Sequence, residues 1–314
     1  MNLKVAVVGV GAMGRNHARV YSEMANVKLV AVADTNDKLV EDVARCHGAC
    51  GYINYVQMLE EQKPNAISIA VPTINHLDIA LQVIQRGIHV LIEKPIALDE
   101  DEAQQIIVAA EEAGVQLMVG HIERFNPVVT TLKSALANEE VISINITRVG
   151  PLPPRIKDVG VIIDLGTHDI DLIRFLSDSS FDEVYAVCSR VNASNEDTAL
   201  MIFRMRNGVL AQITTNWLTP YKEREIVVCT RQRQFRANLI TQQLTEFCGY
   251  AVEDGSYQVK NWAVPYVEPL RRELDLFVDS IIRKCAPPVT GRDGLSALSI
   301  AQQCLDSATN RARI

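Results

Sequence analysis

Asp164 and His168 have the residue types and the spacing of a general base and its supporting carboxylate. Residues four apart share one face of a helix, and a carboxylate beside an imidazole fixes the tautomer of the ring and raises its basicity. Asp171 follows three residues later, near the same face. A capping role explains this segment equally well, with Thr167 as the N-cap and the aspartates interacting with the helix dipole.

A second group of polar residues follows two apolar runs in the first third of the chain. Pro72-Thr73-Ile74-Asn75-His76 comes after one run, and Glu93-Lys94-Pro95 comes after the next. In open α/β sheets ligands bind outside the carboxyl ends of the strands, so these residues are candidate contacts to a ligand. The alternatives are a solvated lysine for Lys94 and an ordinary first residue of a helix for His76.

The segment Gly9-Val10-Gly11-Ala12-Met13-Gly14 is a G-x-G-x-x-G sequence that follows an apolar run and opens a helical pattern. In a dinucleotide-binding turn the first glycine allows the tight turn. The second lets the pyrophosphate approach the backbone, and the third lets helix and strand pack closely. N–H groups at the helix start then bind the phosphates. We therefore predict cofactor contacts at Gly9, Gly11, Ala12, Met13 and Gly14.

Asp34 ends the second apolar run, 20 residues after Gly14. A carboxylate at this place accepts hydrogen bonds from the adenosine ribose hydroxyls. It would repel a 2′-phosphate and no arginine follows it directly, so we predict NAD in preference to NADP. The alternative is a glycine turn with an unrelated aspartate. A nicotinamide site favours the catalytic interpretation of Asp164 and His168 over the capping one.

The first third of the chain has the pattern of a scaffold that would position these residues. Short, continuous apolar runs alternate with stretches of helical spacing, as expected for strands covered on both faces. Strand–helix–strand repetition predicts a parallel, doubly wound sheet with right-handed crossovers, which we place at residues 1–120. The predicted strands are 5–8, 29–33, 66–71, 88–92 and 116–119, and the predicted helices are 14–24, 36–47, 74–85 and 99–113.

The second half of the chain shows polar–apolar alternation, which is typical of antiparallel strands with one buried face. Asn207-Gly208 lies between two of these runs, and Asn-Gly at such a place is a strong hairpin signal. We therefore predict that residues 121–314 form an α+β domain with a large, mostly antiparallel open sheet. The predicted strands are 141–149, 184–191, 198–205, 209–217, 225–230 and 234–239, and the predicted helices are 167–176, 270–284 and 294–308.

The composition predicts a soluble, cytoplasmic protein of two domains. The 314 residues are 48% hydrophobic with a net charge of −7, which argues against a nucleic-acid partner or an anionic membrane surface. No apolar run approaches the ~18 residues of a membrane span, and the first run leads directly into the glycine loop, so no signal peptide is expected. Seven cysteines without a Cys-x-x-Cys pair, and with no histidine at metal-ligand spacing, predict buried free thiols and no metal site.

Together these residues resemble the Gfo/Idh/MocA family, the relatives of glucose–fructose oxidoreductase and inositol dehydrogenase. The resemblance covers nearly the whole chain, and its motifs occur in the family's order. It rests on the glycine loop with His17 behind it, Pro72 to His76, Glu93-Lys94-Pro95, Arg124-Phe125-Asn126-Pro127, and the set Asp164, His168 and Asp171.

The resemblance implies a Rossmann domain followed by an α/β domain, whose open sheet often forms the oligomer interface, so a homodimer or homotetramer is expected. It implies that Lys94 and His168 flank the reacting carbinol, that Asp164 lies in the same site, and that Pro95 is cis. We assign His168 as the base and Lys94 as the group that stabilises the developing alkoxide. The implied cofactor contacts add Pro72, Thr73, His76, Glu93, Lys94 and Pro95 to the glycine loop and Asp34.

Within the family, residues 120–127, 157–161 and 216–220 resemble the enzymes that oxidise the 3-hydroxyl of UDP-N-acetylglucosamine with NAD. A diphosphate needs cationic donors, and the basic cluster Lys222, Arg224, Arg231, Arg233 and Arg236 would supply them. The alternative is that Arg231 and Arg233 face water while Glu223 and Glu225 offset the rest. The candidate substrate contacts are Arg124, Asn126, Arg155, Lys157, Asp171, Trp217 and Arg224, with core packing as the alternative for Trp217.

The predicted function is therefore NAD-dependent oxidation of a sugar hydroxyl, most specifically the 3-hydroxyl of UDP-N-acetylglucosamine. A second hypothesis keeps the chemistry and replaces the substrate by inositol or a free sugar. A third belongs to another class, a cofactor-binding regulator without activity. That hypothesis predicts loss of the catalytic residues, yet Lys94, Asp164 and His168 are all present.

Overall fold

The first sheet carries the glycine loop at the end of its first strand. A computed structural model describes residues 2–153 and 159–309. Within the first of these ranges the sheet consists of β1 Leu3–Val8, β2 Val27–Ala33, β3 Cys50–Tyr52, β4 Ala66–Ile69, β5 His89–Glu93 and β6 Leu117–Gly120. Their order is β3-β2-β1-β4-β5-β6, with every pair parallel. This confirms the predicted doubly wound sheet, in which dinucleotides bind where the order reverses, between β1 and β4.

Helices connect the consecutive strands of this sheet. They are α1 Ala12–Glu23, α2 Asp37–His47, α3 Tyr55–Gln62, α4 His76–Ile84 and α5 Glu100–Ala113. The ends of α5 follow from its sequence, because the Asp99 side chain accepts a hydrogen bond from the Glu102 N–H, and Gly114 ends the helix at φ 65°. The sequence did not predict β3 and α3, because β3 has no buried residue and α3 buries only two.

The second sheet is mixed and mostly antiparallel, as predicted. Its strands in the described part of the chain are β7 Val141–Pro151, β8 Phe181–Ser189, β9 Thr198–Met205, β10 Leu210–Asn216, β11 Leu218–Thr230, β12 Arg233–Asn238, β13 Gln243–Cys248 and β14 Gln258–Trp262. They lie in the order β14-β13-β12-β11-β7-β10-β9-β8, and β7 and β10 run parallel to each other. The Asn207-Gly208 turn joins β9 to β10, with Gly208 at φ 88°.

One face of the second sheet is covered by helices. α6 Pro127–Ala135 and α7 Thr167–Ser177 contribute buried apolar residues to the same core as the sheet. The alternation along β9 sends Met201 and Phe203 into that core and leaves Leu200 and Ile202 about half exposed on the opposite face. The sheet is therefore open on one side, as the sequence predicted.

The chain closes with α8 Pro269–Arg283 and α9 Gly291–Thr309. It forms two units: residues up to Ile122 together with Pro269–Ser296, and Glu123–Glu268 together with the residues from Ala297 onward. This division differs from the single boundary at residue 120 expected from the sequence. The difference arises because α8 packs against α1 and buries an apolar face there, which returns residues 269–296 to the first unit.

Two sequence-based expectations concern compartment. Within the described ranges, no helix combines the length and the apolar character needed to cross a bilayer. The cysteines are free thiols, but the prediction that they are buried is wrong for most of them. Cys304 is buried, whereas Cys46, Cys50, Cys188 and Cys285 are exposed.

Candidate functional site

The three glycines of the loop after β1 have different surroundings. Gly9 has φ +85°, and a Cβ there would lie 2.6 Å from the Ala70 carbonyl oxygen. A Cβ on Gly14 would lie 1.7 Å from the Gly9 carbonyl oxygen, whereas a Cβ on Gly11 would meet no atom within 4 Å. Packing within the protein thus requires Gly9 and Gly14. Packing does not require a glycine at position 11. A phosphate that approaches the backbone closely at this position would require one.

A cavity of about 570 Å³ opens beside this loop and is bounded by Gly9, Gly11, Asp34 and Pro72, among others. α1 begins at Ala12 without a side-chain cap among the described residues, so the N–H groups of its first turn are available to an anion. The volume lies within the range of cofactor sites, roughly 300–1,000 Å³. The open space at Gly11, the helix start and the cavity fit an NAD(P) dinucleotide.

Asp34 stands at the edge of this cavity. Its Oδ2 accepts a hydrogen bond of 2.8 Å from the Val10 N–H, and its Oδ1 accepts one of 2.9 Å from the Asn36 N–H. These bonds fix the carboxylate against the glycine loop. Each oxygen keeps a second lone pair, so ribose hydroxyls can still donate to it.

His76 connects the loops that follow β4 and β5. Its Nε2 lies 3.0 Å from the Val71 carbonyl oxygen, and its Nδ1 lies 3.0 Å from that of Pro95. The side chain is buried, and this burial lowers its pKa. His76 is the first residue of α4, which agrees with the alternative interpretation from the sequence. It also links two loops that are predicted to bind the cofactor. Pro72 borders the cavity, and Thr73 starts a short 3₁₀ turn beside it.

The segment Glu93-Lys94-Pro95 ends β5. The Lys94–Pro95 peptide bond is cis, as the family resemblance implied. The Glu93 carboxylate is buried and lies 2.9 Å from Nε2 of His17 on α1. Lys94 is half-buried and is the residue directly after Glu93. The hydrogen bond that holds Glu93 therefore also fixes the backbone from which the Lys94 side chain starts.

In the second unit, Asp164 and His168 lie on one continuous helical segment. Asp164 belongs to a π-helical turn, Ile162–Gly166, that runs directly into α7 with His168 in its first turn. Turns of this kind often occur at functional sites. Thr167 is not the N-cap of α7, because its hydroxyl donates 2.8 Å back to the Ile163 carbonyl oxygen. Asp169 does lie in the first turn of α7, as the capping interpretation expected for an acid near the helix start.

The sequence did not predict the residue that anchors this π turn. A side-chain oxygen of Glu196 accepts a hydrogen bond of 3.2 Å from the Ile162 N–H. A Cβ on Gly160 would lie 1.9 Å from the same oxygen, so Gly160 makes room for Glu196. Burial raises the pKa of Glu196. No sequence signal pointed to Glu196, because its partner lies on a separate segment of the chain.

Several candidate substrate residues are engaged by the protein itself. Arg124 and Asp171 form a bidentate pair, at 2.6 and 2.5 Å, and both are buried. The Asn126 amide caps α6 and donates to the Leu239 carbonyl oxygen. Trp217 is 4% exposed and belongs to the core. This agrees with core packing, the alternative interpretation for this residue. Arg155 and Lys157 lie outside the described residues.

Beneath these residues is a buried ionic network that the sequence did not reveal. The Arg148 guanidinium is 2.8 Å from Glu123 and 2.8 Å from Asp169, and all three side chains are buried. Burial alone would raise the pKa of Glu123, but Arg148 and Arg224 outweigh it and hold that pKa below its usual range. The network fixes α7 to β7, because Asp169 lies on α7 and Arg148 lies on β7.

Arg224 is a candidate substrate residue whose side chain keeps partial exposure. Its side chain is 37% exposed and lies 3.2 Å from Glu123. Burial, and then the positive charge of Arg148, lower the pKa of Arg224, whereas Asp164 is among the carboxylates that raise it. An arginine stays ionised under such a shift. Arg224 thus places a cation within electrostatic range of Asp164.

Three arginines of the basic cluster, Arg231, Arg233 and Arg236, are paired with carboxylates. Arg231 pairs with Glu140 at 2.8 Å, and Arg236 pairs with Glu225 at 3.5 Å. Arg233 contacts two further glutamates. The alternative interpretation, in which Arg231 and Arg233 face water and Glu223 and Glu225 offset the rest, agrees with the partial exposure of Arg231 and Arg233 and with the Arg236–Glu225 pair. Arg224 differs from it, because its partner is Glu123.

Sequence models of known families match both parts of the chain. The model described as oxidoreductase family, NAD-binding Rossmann fold, matches residues 3–121. The model of the GFO/IDH/MocA C-terminal domain matches residues 140–235. The two matches follow each other in the order of the two sheets.

Individual relatives align over almost the full chain. Over 284 residues it is 28% identical to UDP-N-acetylglucosamine 3-dehydrogenase of Acidithiobacillus ferrooxidans, covering 90% of this chain and 89% of that protein. It is 27% identical to inositol 2-dehydrogenase of Rubrobacter xylanophilus, covering 99% and 92%. A solved structure of the Acidithiobacillus enzyme matches with a TM-score of 0.91 at 26% identity, covering 99% of this chain and 100% of that one.

Proposed function

This chain belongs to the Gfo/Idh/MocA family of NAD(P)-dependent oxidoreductases acting on CH–OH groups, and from that premise we propose that it oxidises the 3-hydroxyl of UDP-N-acetylglucosamine with NAD. The observation that carries the choice of substrate is the similarity to an enzyme of that name over the full length of both chains. Lys94, Asp164 and His168 are all present, which favours an active enzyme over a regulator that binds the cofactor without catalysis.

In the proposed reaction, His168 takes the proton of the sugar hydroxyl as general base. Asp164, one turn earlier on the same helical segment, is the carboxylate proposed to orient the imidazole. Lys94 holds the hydroxyl oxygen and stabilises the negative charge that develops on it. The bound dinucleotide supplies the hydride acceptor. A positioned base of this kind contributes about 10²- to 10⁴-fold in rate.

NAD in preference to NADP is proposed from the environment of Asp34. Two backbone N–H groups hold its carboxylate in place at the cavity edge. The 2′-phosphate of NADP would place negative charge beside the Asp34 carboxylate, and the two groups would repel each other. The uncharged ribose hydroxyls of NAD cause no such repulsion. Asn36 and Asp37 follow Asp34 closely, so the segment offers no arginine to compensate.

For the nucleotide sugar, Arg224 is the proposed contact to the diphosphate. It combines partial exposure with proximity to the charge of Asp164. Arginine suits this task because its planar donors bind phosphate oxygens in pairs. The protein itself engages the side chains of Arg124, Asn126, Asp171 and Trp217, which leaves Arg224 as the proposed contact among the described candidates.

One observation favours a second candidate, a cyclitol or free sugar. Arg231, Arg233 and Arg236 are paired with carboxylates, so this part of the basic cluster offers little net positive charge to a diphosphate. Inositol needs no such charge, and an inositol 2-dehydrogenase is similar over 99% of this chain.

The deciding experiment follows NADH formation with UDP-N-acetylglucosamine, UDP-glucose, myo-inositol and glucose under the same conditions. A 2-oxoglutarate-dependent sugar aminotransferase is added to trap an unfavourable 3-keto product. Turnover restricted to UDP-N-acetylglucosamine supports the proposal, and Arg224→Gln should then raise KM for the nucleotide sugar. Turnover with myo-inositol alone replaces it by the second candidate. NAD binding without turnover favours the regulator.

We also propose that the open face of the second sheet joins copies of this chain into a homodimer or homotetramer. Apolar side chains on this face are about half exposed, at Val187, Leu200, Ile202 and Leu210. Contiguous exposed apolar residues mark interaction surfaces. Light scattering after size-exclusion chromatography tests this, because Ile202→Lys should shift the assembly toward the monomer.

A further inference from the structure

His17, Glu93 and Glu273 form a buried cluster behind Lys94. They come from α1, the end of β5 and α8, and their nitrogen and oxygen atoms lie within 4.8 Å of one another. His17 and Glu273 are 0% exposed and Glu93 is 9% exposed. Neither oxygen of Glu273 has a hydrogen-bond partner among the described residues. An ionised carboxylate that is fully buried without a hydrogen-bond partner carries a large desolvation cost.

The protonation of His17 follows from its two ring nitrogens. Nε2 lies 2.9 Å from Oε1 of Glu93, whereas Nδ1 is buried and has no partner in the described structure. A proton on Nδ1 would be an unsatisfied donor, so the proton belongs on Nε2, which donates to Glu93. Glu93 is therefore the acceptor of this hydrogen bond.

This arrangement argues against a metal ion in the cluster. A histidine that binds a metal through Nε2 carries its proton on Nδ1 and donates it to a carboxylate, a carbonyl or water. Nδ1 of His17 has no such acceptor in the described structure. A cation would also have to replace the His17–Glu93 hydrogen bond. A proton on Glu273 removes one negative charge from the cluster without either cost.

We propose that Glu273 is a neutral carboxylic acid and a positioning residue, which holds the ionised Glu93 in place directly before Lys94. Two ionised carboxylates this close in a buried environment would repel each other strongly. Neutral Glu273 removes the repulsion, so Glu93 can accept from His17 and keep the end of β5 in one position. The protonation of Glu273 is independent of the proposed sugar oxidation. The catalytic value of positioning Lys94 rests on that proposed function.

The groups that face Glu273 support a neutral acid. From α1, His17 and Tyr21 face it, and from β5 Glu93 does. None of these three side chains donates a hydrogen bond to Glu273, because His17 is bonded to Glu93 and the Tyr21 hydroxyl is paired with Ser68. Burial, and then the charge of Glu93, raise the pKa of Glu273 well above its ordinary value.

A raised pKa in the folded state makes stability depend on pH with a defined sign. The folded protein keeps the Glu273 proton at neutral pH, whereas the unfolded chain releases it above the ordinary pKa of glutamate. Each pH unit above that value therefore lowers the folding equilibrium constant about tenfold for this one group, until the folded pKa is reached. Below the ordinary pKa both states are protonated and the effect vanishes.

Glu273→Gln is the decisive variant, because glutamine has the shape of the neutral acid and cannot ionise. Urea unfolding at a series of pH values should show the variant gaining stability over the natural protein as pH rises, by about tenfold in the folding equilibrium constant per unit. Asp275→Asn, a partly exposed acid of the same helix, should show no such trend. A constant difference, or a natural protein that gains on the variant with rising pH, overturns the proposal.

Infrared spectroscopy tests the proton without any unfolding or activity. The natural protein at neutral pH should show the carbonyl stretch of a protonated carboxyl group, and Glu273→Gln should lose it. Absence of this band from the natural protein overturns the proposal, as does a stoichiometric metal ion that is found by elemental analysis and lost in the variant.

The positioning role has a kinetic test. Glu273→Leu should lower kcat about tenfold or more, while the Kd for NAD changes little, and Glu273→Gln should restore kcat. Equal losses in both variants contradict a neutral acid. If the chain oxidises none of the sugars tested, the proposed function fails, but the pH and infrared results still decide the state of Glu273.

Discussion

Nδ1 of His76 lies 3.0 Å from the carbonyl oxygen of Pro95, so one buried side chain joins the first residue of α4 to the cis-proline loop after β5. The opposite ring nitrogen, Nε2, lies 3.0 Å from the Val71 carbonyl oxygen in the loop after β4. Both loops were predicted to contact the cofactor. Their relative position therefore depends on an imidazole with almost no exposed surface.

Replacing His76 by phenylalanine should destabilise the protein by about 1–3 kcal/mol, because the ring is kept while the carbonyl oxygen that accepts from the imidazole N–H loses its donor. Urea unfolding measures this, and binding of NAD should weaken in parallel. His47→Phe, at the half-buried end of α2, is the matched control and should change little. An unchanged midpoint for His76→Phe would show that the two loops hold their positions without the ring.

Gly11 and Gly14 should respond differently to alanine. Gly14→Ala places a methyl group 1.7 Å from the Gly9 carbonyl oxygen, so the thermal midpoint should fall sharply. Gly11→Ala meets no protein atom within 4 Å, so its thermal midpoint should stay the same while its affinity for NAD falls. Calorimetry gives both quantities. Undiminished NAD affinity in Gly11→Ala would move the pyrophosphate away from this loop.

Asp34→Ala should weaken NAD binding and reduce the discrimination against NADP. The carboxylate contributes hydrogen bonds to the ribose of one cofactor and repulsion to the phosphate of the other. The ratio of kcat/KM values for NAD and NADP is the measurement. Asp37→Ala, on the first turn of α2, is the control. An unchanged ratio would remove Asp34 from the ribose site.

His168→Ala should lower turnover by roughly 10²-fold or more, with little change in NAD binding. The loss should be greatest in the chemical step, so single-turnover rates are the appropriate readout. Thr167→Val removes only a hydroxyl that bonds back to Ile163 and should retain most of the activity. Full activity of His168→Ala would require another base.

Arg148→Met should cost about 3–5 kcal/mol, because it leaves two buried carboxylates, Glu123 and Asp169, without their shared cation. Arg231→Met breaks an exposed pair with Glu140 and should leave the free energy of unfolding almost unchanged. Chemical denaturation at neutral pH compares the two. Similar effects would mean that the buried network contributes no more than a surface pair.

The sequence predicted what depends on local pattern. The glycine loop, Asp34 and the residues after β4 and β5 are consecutive features of strand–helix repeats, so their places in the fold follow from periodicity and turn chemistry. The hairpin at Asn207-Gly208 was predicted for the same reason.

The features that the sequence did not predict depend on contacts between distant segments. Arg148 meets Asp169 and Glu123 across 21 and 25 residues, and no periodic pattern indicates such a pairing. Glu273 reaches Glu93 from a helix near the end of the chain. Short or exposed elements also escape detection, since β14 has no buried residue and shows no apolar alternation.

The return of residues 269–296 to the first unit has a consequence for biosynthesis. A ribosome delivers the six parallel strands first, yet Glu273 and the rest of α8 follow only after the whole of the second sheet. Until then the surface of α1 that packs against α8 has no cover, and the His17–Glu93 pair lacks its third member. The nucleotide-binding unit therefore begins to fold early but is completed late, and a fragment ending at residue 122 would resemble the nascent intermediate more than an independent domain.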